Sequence, residues 1–156
     1  MFIEIHTFKM SMHEMSETQE VLLYEEPWLK ISFNMQRAFV RAVWSGFPKG
    51  AQFRAMTKRV ADEIRAKNEE FPGTNSIFDI SRLLMMSYDD MDWAAGEGDM
   101  LLYNAGARKL GFLVLDSQFD KFYMDAYQYQ AQRRAENKLQ RCIFKTEAEA
   151  LQWLSE

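Results

Sequence analysis

Apolar and polar residues alternate in the first part of the chain, and from Ala51 the apolar ones recur every three or four positions. Phe2, Glu4, His6 and Phe8 oppose Ile3, Ile5 and Thr7, the pattern of a half-exposed strand. Met10 to Glu20 is polar and Met-rich with no clear period and reads as a loop. Val21 to Tyr24 is a short apolar run closed by Glu25-Glu26-Pro27, where proline marks a strand end or a sheet edge. Trp28 to Phe33 alternates, with Leu29, Ile31 and Phe33 on one face. Arg37 to Trp44 alternates in turn, and the short Asn34-Met35-Gln36 between the two runs predicts a hairpin. The opening of the chain is therefore expected to be antiparallel.

Ser45-Gly46-Phe47-Pro48-Lys49-Gly50 stops the strands, and a helical period follows on Phe53, Met56, Val60, Ile64 and Lys67. Phe71-Pro72-Gly73 ends that helix. Asn75-Ser76-Ile77-Phe78-Asp79-Ile80-Ser81 is apolar through its length and finishes in a polar Asp-x-Ser. A buried parallel strand has this composition, with chemistry confined to its C-terminal end. Ser87 is placed to cap the next helix, with Asp89 and Asp90 in a first turn where the helix dipole favours anions. Gly96 and Gly98 interrupt that helix and predict a kink or a split; Met100 to Asn104 resume it, with Gly106 as its C-cap. Leu110 to Leu115 is a second buried strand, Ser117 starts a helix carrying Phe119, Phe122, Tyr123 and Tyr127, and Gln140 to Phe144 is a last strand. Thr146-Glu147-Ala148-Glu149 is a capping box that opens a closing helix with Ala150, Leu151 and Leu154 inward.

This order predicts an α/β fold, a mixed β-sheet with antiparallel N-terminal strands followed by αβαβαβα, the helices packed on it by right-handed crossovers. At 156 residues, without repeats or a linker, residues 1–156 read as a single domain. A net charge of −4 argues against a nucleic-acid partner. Cys142 is the only cysteine, so no internal disulfide forms and a reducing, cytoplasmic location is the default. No basic leader precedes an apolar run, and no run approaches the ~20 residues of a transmembrane segment.

Two stretches carry a family resemblance. One is Phe78-Asp79-Ile80-Ser81-Arg82-Leu83, followed by an acidic helix start. The other is Arg141-Cys142-Ile143-Phe144, then Thr146-Glu147-Ala148-Glu149-Ala150-Leu151-Gln152-Trp153-Leu154. Together with the alternating strand Arg37 to Gly46, they resemble STAS/SEC14-type domains of the SpoIIAA-like group, from Trp28 onward. The resemblance implies a non-enzymatic regulatory or protein-interaction module. In the anti-sigma-factor antagonists of that group, a phosphorylated serine opens the helix after the Asp-x-Ser strand. Here Tyr88 and Asp89 stand at that position and Ser87 precedes it, so the usual phosphoserine switch is not expected. The SEC14 side implies the alternative, a binder or carrier of a small apolar or lipid-like ligand.

The candidate interaction or switch residues are Asp79, Ser81, Ser87, Tyr88, Asp89, Asp90 and Trp93, and the candidate apolar pocket is Met85, Met86, Trp93, Tyr103 and Phe122. Each has a plainer reading. Ser87 with Asp90 three residues on is what an ordinary cap needs. Asp89, Asp90 and Asp92 diverge within one turn, which suits a solvated helix start better than a divalent cation. His6 and His13, the two histidines, have no metal-ligand spacing, no Gly-x-Ser-x-Gly is present, and no catalytic residue, metal or cofactor is assigned. The basic residues Arg54, Lys58, Arg59 and Arg65, and Arg133, Arg134, Lys138 and Arg141, are interleaved with acids and read as solvated faces. The 11 Met and 12 Phe residues are read as core ahead of a ligand surface. An exposed Tyr88-Met91-Trp93 patch would favour the interaction module, and an apolar pocket of a few hundred Å³ the ligand binder. The strand Val21 to Tyr24 is expected to leave an edge open to homodimer pairing.

Overall fold

In the computed structural model, residues 20–114, 118–134 and 137–156 are described, the side chains of residues 118–122 excepted. The expected strand from Phe2 to Phe8, nearly all of the loop from Met10 and the helix start at Ser117 lie outside the described residues. Among the described residues, six strands form one sheet in sequence order: β1 (Glu20–Glu26), β2 (Leu29–Asn34), β3 (Phe39–Gly46), β4 (Asn75–Leu83), β5 (Lys109–Leu113) and β6 (Gln140–Phe144). β1 to β3 are antiparallel neighbours, and β3 to β6 run parallel. The helices are α1 (Gly50–Glu70), α2 (Tyr88–Trp93), α3 (Asp99–Asn104), α4 (Gln118–Gln132) and α5 (Glu147–Leu154). The mixed sheet with an antiparallel opening is the predicted architecture.

Parallel neighbours need crossover connections, and right-handed crossovers between strands in sequence order all fall on one face. α1, α2–α3 and α4 are those connections. Val60, Ile64, Leu102 and Met124 from them join Ile31, Val40, Phe78 and Leu110 of the strands in one core. α5 follows the last strand and is free to take the other face, where Ala150, Leu151 and Leu154 pack on Phe39, Ile77 and Phe144. β3 and β4 thus have packed residues on both faces, which is why β4 reads as a continuous apolar run. On that second face Arg41 of β3 pairs with Glu20 of β1 at 2.8 Å and with Glu147 of α5.

Several expected boundaries move. The β2–β3 hairpin closes from Asn34 to Phe39, so Arg37 and Ala38 belong to the turn rather than to a strand. Ala38 takes φ 54, and Asn34 Oδ1 accepts the Arg37 N–H at 2.9 Å. Gly46 is required by a close approach: at φ +70, a Cβ there would lie 2.7 Å from the Trp28 indole nitrogen. Glu20, expected in a loop, begins β1. Among the described residues β1 pairs only with β2, and Val21 and Leu22 are exposed beside an irregularity in its register.

The central strand corrects the sequence reading most. Val43 pairs with Asp79 but Ser45 pairs with Arg82, so three residue steps on β4 face two on β3. That extra residue is a bulge, and the Asp79 Oδ1 accepts the Ser81 N–H at 3.0 Å across it. Asp-x-Ser therefore does not end the strand. β4 runs on to Leu83, and the Leu84 N–H donates to the Gly46 carbonyl at 2.8 Å.

Candidate functional site

The chain leaves β4 through Leu84, Met85 and Met86 and enters α2 at Ser87. The Ser87 hydroxyl oxygen accepts the Asp90 N–H at 3.1 Å, the predicted cap. Asp90 departs from the expected solvated start: it is buried, and its two carboxylate oxygens accept the Gly50 N–H at 3.2 and 3.0 Å. Lys49 supplies no side-chain cap for α1, so Asp90 caps it from 40 residues away. Asp89 stays exposed and Asp92 pairs with Arg134, so the three acids do not converge. Asp90→Ala is expected to cost about 1–2 kcal/mol, the value of a lost cap plus an unpaired donor. Asp89→Ala is expected to stay within about 0.5 kcal/mol. Thermal melts of the two variants read the difference, and equal shifts would contradict the assignment.

The exposed patch is not the expected one. Met91 and Trp93 are buried, whereas Leu84 is 67%, Met85 45% and Tyr88 64% exposed. Gln130 of α4 donates to the Tyr88 hydroxyl, which ties this segment to α4.

Gly96 and Gly98 produce a π-helical turn, Ala94–Gly98, between α2 and α3 rather than a break. Arg134 lies where a Gly96 Cβ would be, 2.5 Å from its guanidinium. The wider turn frees the Ala95 carbonyl, which accepts from Asn137 Nδ2 at 2.7 Å. Asp99 follows the turn and points inward. It is 3% exposed. It accepts from the Tyr127 hydroxyl at 2.6 and 2.5 Å and from Asn137 Nδ2 at 2.7 Å, with Arg141 Nη1 at 3.5 Å. Burial pushes its carboxyl up to about 6, against the opposing pull of Tyr127, Asn137 and Arg141. The Tyr127 hydroxyl is raised as well, by burial first and by the adjacent Asp99 charge second. Arg141, read from sequence as part of a solvated basic face, is instead buried here with its Nε unbonded among the described residues.

Asp99 and Tyr127 reach an apolar cavity of about 70 Å³ among Trp44, Phe78, Phe112 and Met124, at the C-terminal ends of β3 to β5. Met85 and Met86, of the candidate apolar pocket, line it. Trp93 and Tyr103 do not: Trp93 faces a separate groove, and the Tyr103 ring lies 3.9 Å from the Arg108 guanidinium carbon. The Phe122 side chain lies outside the described residues. The sequence reading missed Asp99, Tyr127, Asn137 and Arg141 as a group. One signal was available. Ala95, Asp99 and Leu102 share a helical stripe, so an acid lies on an apolar face.

The separate groove, of about 430 Å³, runs between α1 and α2–α3 and is lined by Arg54, Lys58, Trp93, Glu97 and Leu101 among others. The Trp93 indole N–H donates to Glu97 Oε2 at 2.8 Å, and the Arg54 guanidinium lies 5.4 Å from the Trp93 ring centroid. Among the described residues, no group of three or more His, Cys, Asp or Glu side chains gathers as a metal site. No helix among them is long and apolar enough to cross a membrane.

No family model matches the chain, and no curated protein matches it. A similar solved structure is an uncharacterised protein of the DUF3478 family with a SpoIIAA-like fold, from Shewanella loihica PV-4. It is 12% identical, with 86% of this chain and 91% of that chain covered at a TM-score of 0.44. At that score the likeness carries no argument about the site, whose chemistry rests on the geometry above. The SpoIIAA-like fold of that protein is of the group that the two sequence stretches resemble.

Proposed function

We propose that this chain is a non-enzymatic interaction module that binds a partner protein through Leu84, Met85 and Tyr88. The observation that carries this reading is the exposure of three large side chains, Leu84, Met85 and Tyr88, within five residues, with Met85 also lining the cavity. Exposed apolar side chains grouped in this way mark contact surfaces more often than singly scattered ones do. The neighbouring cavity of about 70 Å³ suits the tip of one partner side chain. A carried lipid would need roughly 300 Å³ or more, so this cavity is too small to hold one.

Full burial of a Leu or Met side chain contributes about 1.5–3 kcal/mol. The double substitution Leu84→Ser, Met85→Ser is therefore expected to weaken partner binding at least about tenfold. Its melting behaviour should be nearly that of the parent, because both side chains are exposed. The check is a photo-crosslinker at position 84 in extracts of the source cell, with the exposed position 66 on α1 as control. A discrete adduct at 84 that the Met85→Ser change suppresses supports the reading. Equal adducts at both positions would overturn it.

A further inference from the structure

α1 carries five cations on its length, and their pairing is uneven. Arg59 pairs with Glu63 at 3.0 Å, Arg65 with Asp62 at 3.4 Å, and Lys67 with Glu70 at 3.8 Å. Arg54 and Lys58 have no ion pair or hydrogen bond among the described residues, and the Arg54 Nε is buried without a partner. These two lie one helical turn apart on the rim of the groove of about 430 Å³.

The groove also holds its parts still. Arg54 stacks over the Trp93 ring at 5.4 Å, and the indole N–H is fixed by Glu97. No ion pair forms between Glu97 and either cation among the described residues, so the Arg54 Nη groups and the Lys58 ammonium remain available. Met100 and Leu101 give the groove an apolar stretch of wall, next to the polar Asn104. A guanidinium fork matches two oxygens of a carboxylate or phosphate, and an ammonium one turn away adds a second charge. A volume of this size lies within the range of small-molecule sites.

We infer that this groove binds a small organic oxyanion, its phosphate or carboxylate head on Arg54 and Lys58 and its apolar body against Met100 and Leu101. None of its lining residues belongs to the Leu84–Tyr88 surface, so the two assignments stand or fall separately.

The test is a titration of the full chain followed by the Trp93 indole ¹H–¹⁵N resonance, assigned with Trp93→Phe. The probes are hexyl phosphate, hexanoate and inorganic phosphate. A saturable shift is expected with an alkyl probe, and the preferred head identifies the oxyanion. Arg54→Gln and Lys58→Gln should each weaken it at least tenfold, and Arg65→Gln should leave it unchanged. Lys58 is exposed, so its variant remains informative if loss of Arg54 impairs folding. No saturable shift with either alkyl probe, or equal affinity in Lys58→Gln, would overturn the site. Inorganic phosphate binding as tightly as hexyl phosphate would overturn the assignment of an apolar body.

Discussion

Phe78→Ala is expected to lower the unfolding free energy by about 3–5 kcal/mol, at the upper end for a single core truncation. Phe78 sits mid-strand on β4, with Ala42 of β3 on one side and Phe112 of β5 on the other. Its ring centroid lies 5.5 Å from that of Trp44 and 5.9 Å, edge-on, from that of Phe112. Such pairs add about 0.5–1.5 kcal/mol each beyond burial. The neighbours cannot close the gap, because hydrogen-bonded strands hold both flanks and the cavity of about 70 Å³ already lies on the open side. Truncation would merge the two volumes, and the cost of a void rises with its size. A domain of this kind has about 5–15 kcal/mol in all, so the loss would be a large share of the total. Urea unfolding measures it. A cost under about 1.5 kcal/mol would mean that the row of touching rings Trp93, Phe53, Trp44, Phe78, Phe112 and Tyr127 repacks, and the rigid-flank argument would fail.

The second large effect depends on pH. Asp99 has its carboxyl at about 6 in the folded chain against an ordinary 3.8. Below the unfolded value both states hold the proton and burial costs nothing extra. Above the folded value both are ionised and the native state carries the whole penalty. Stability from this group therefore falls as pH rises between those limits, by about 3 kcal/mol for a gap of about two units. Asp99→Asn removes the titration. The stability of the parent relative to that variant should thus improve by up to about 3 kcal/mol from pH 7.5 to pH 4. Taking the difference between the two proteins cancels the other acids, which titrate in both. Paired urea titrations across that range provide the reading. A difference that stays flat with pH, or that moves the other way, would mean that Asp99 is not held in this environment.

The residues of the candidate site divided by the range of the forces acting on them. Ser87 was legible as a cap because its oxygen bonds an N–H three residues on. Thr146 was legible for the same reason, its hydroxyl accepting the Glu149 N–H at 3.3 Å and donating to Glu149 Oε1 at 2.7 Å. Met85 and Met86 were reachable as pocket residues because the apolar segment after β4 is local. Trp93 was misplaced because the groups it packs against, Phe53 and Arg54 of α1, lie about 40 residues earlier in the chain. The π turn that follows it is held by Asn137 and Arg134, about 40 residues on. The same holds for Asp79, whose role in a bulge arises only from the mismatch between β3 and β4.

The sequence by itself determined the strands, the helices and their order, the antiparallel opening and the helix caps. Each follows from periodicity or from bonds within about four residues, which the chain makes wherever it goes. Only the tertiary structure decided which charges are buried and which are left over. Asp90 was indistinguishable from Asp89 until Gly50 lay against it, and Arg54 from Arg59 until α2 and α3 denied it an acid. Asp99 became a raised acid only when Tyr127, Asn137 and Arg141, 28 to 42 residues away along the chain, closed over it. The reason is physical: the cost of a charge is set by the solvent it loses and the partners it gains, and both depend on residues distant in sequence.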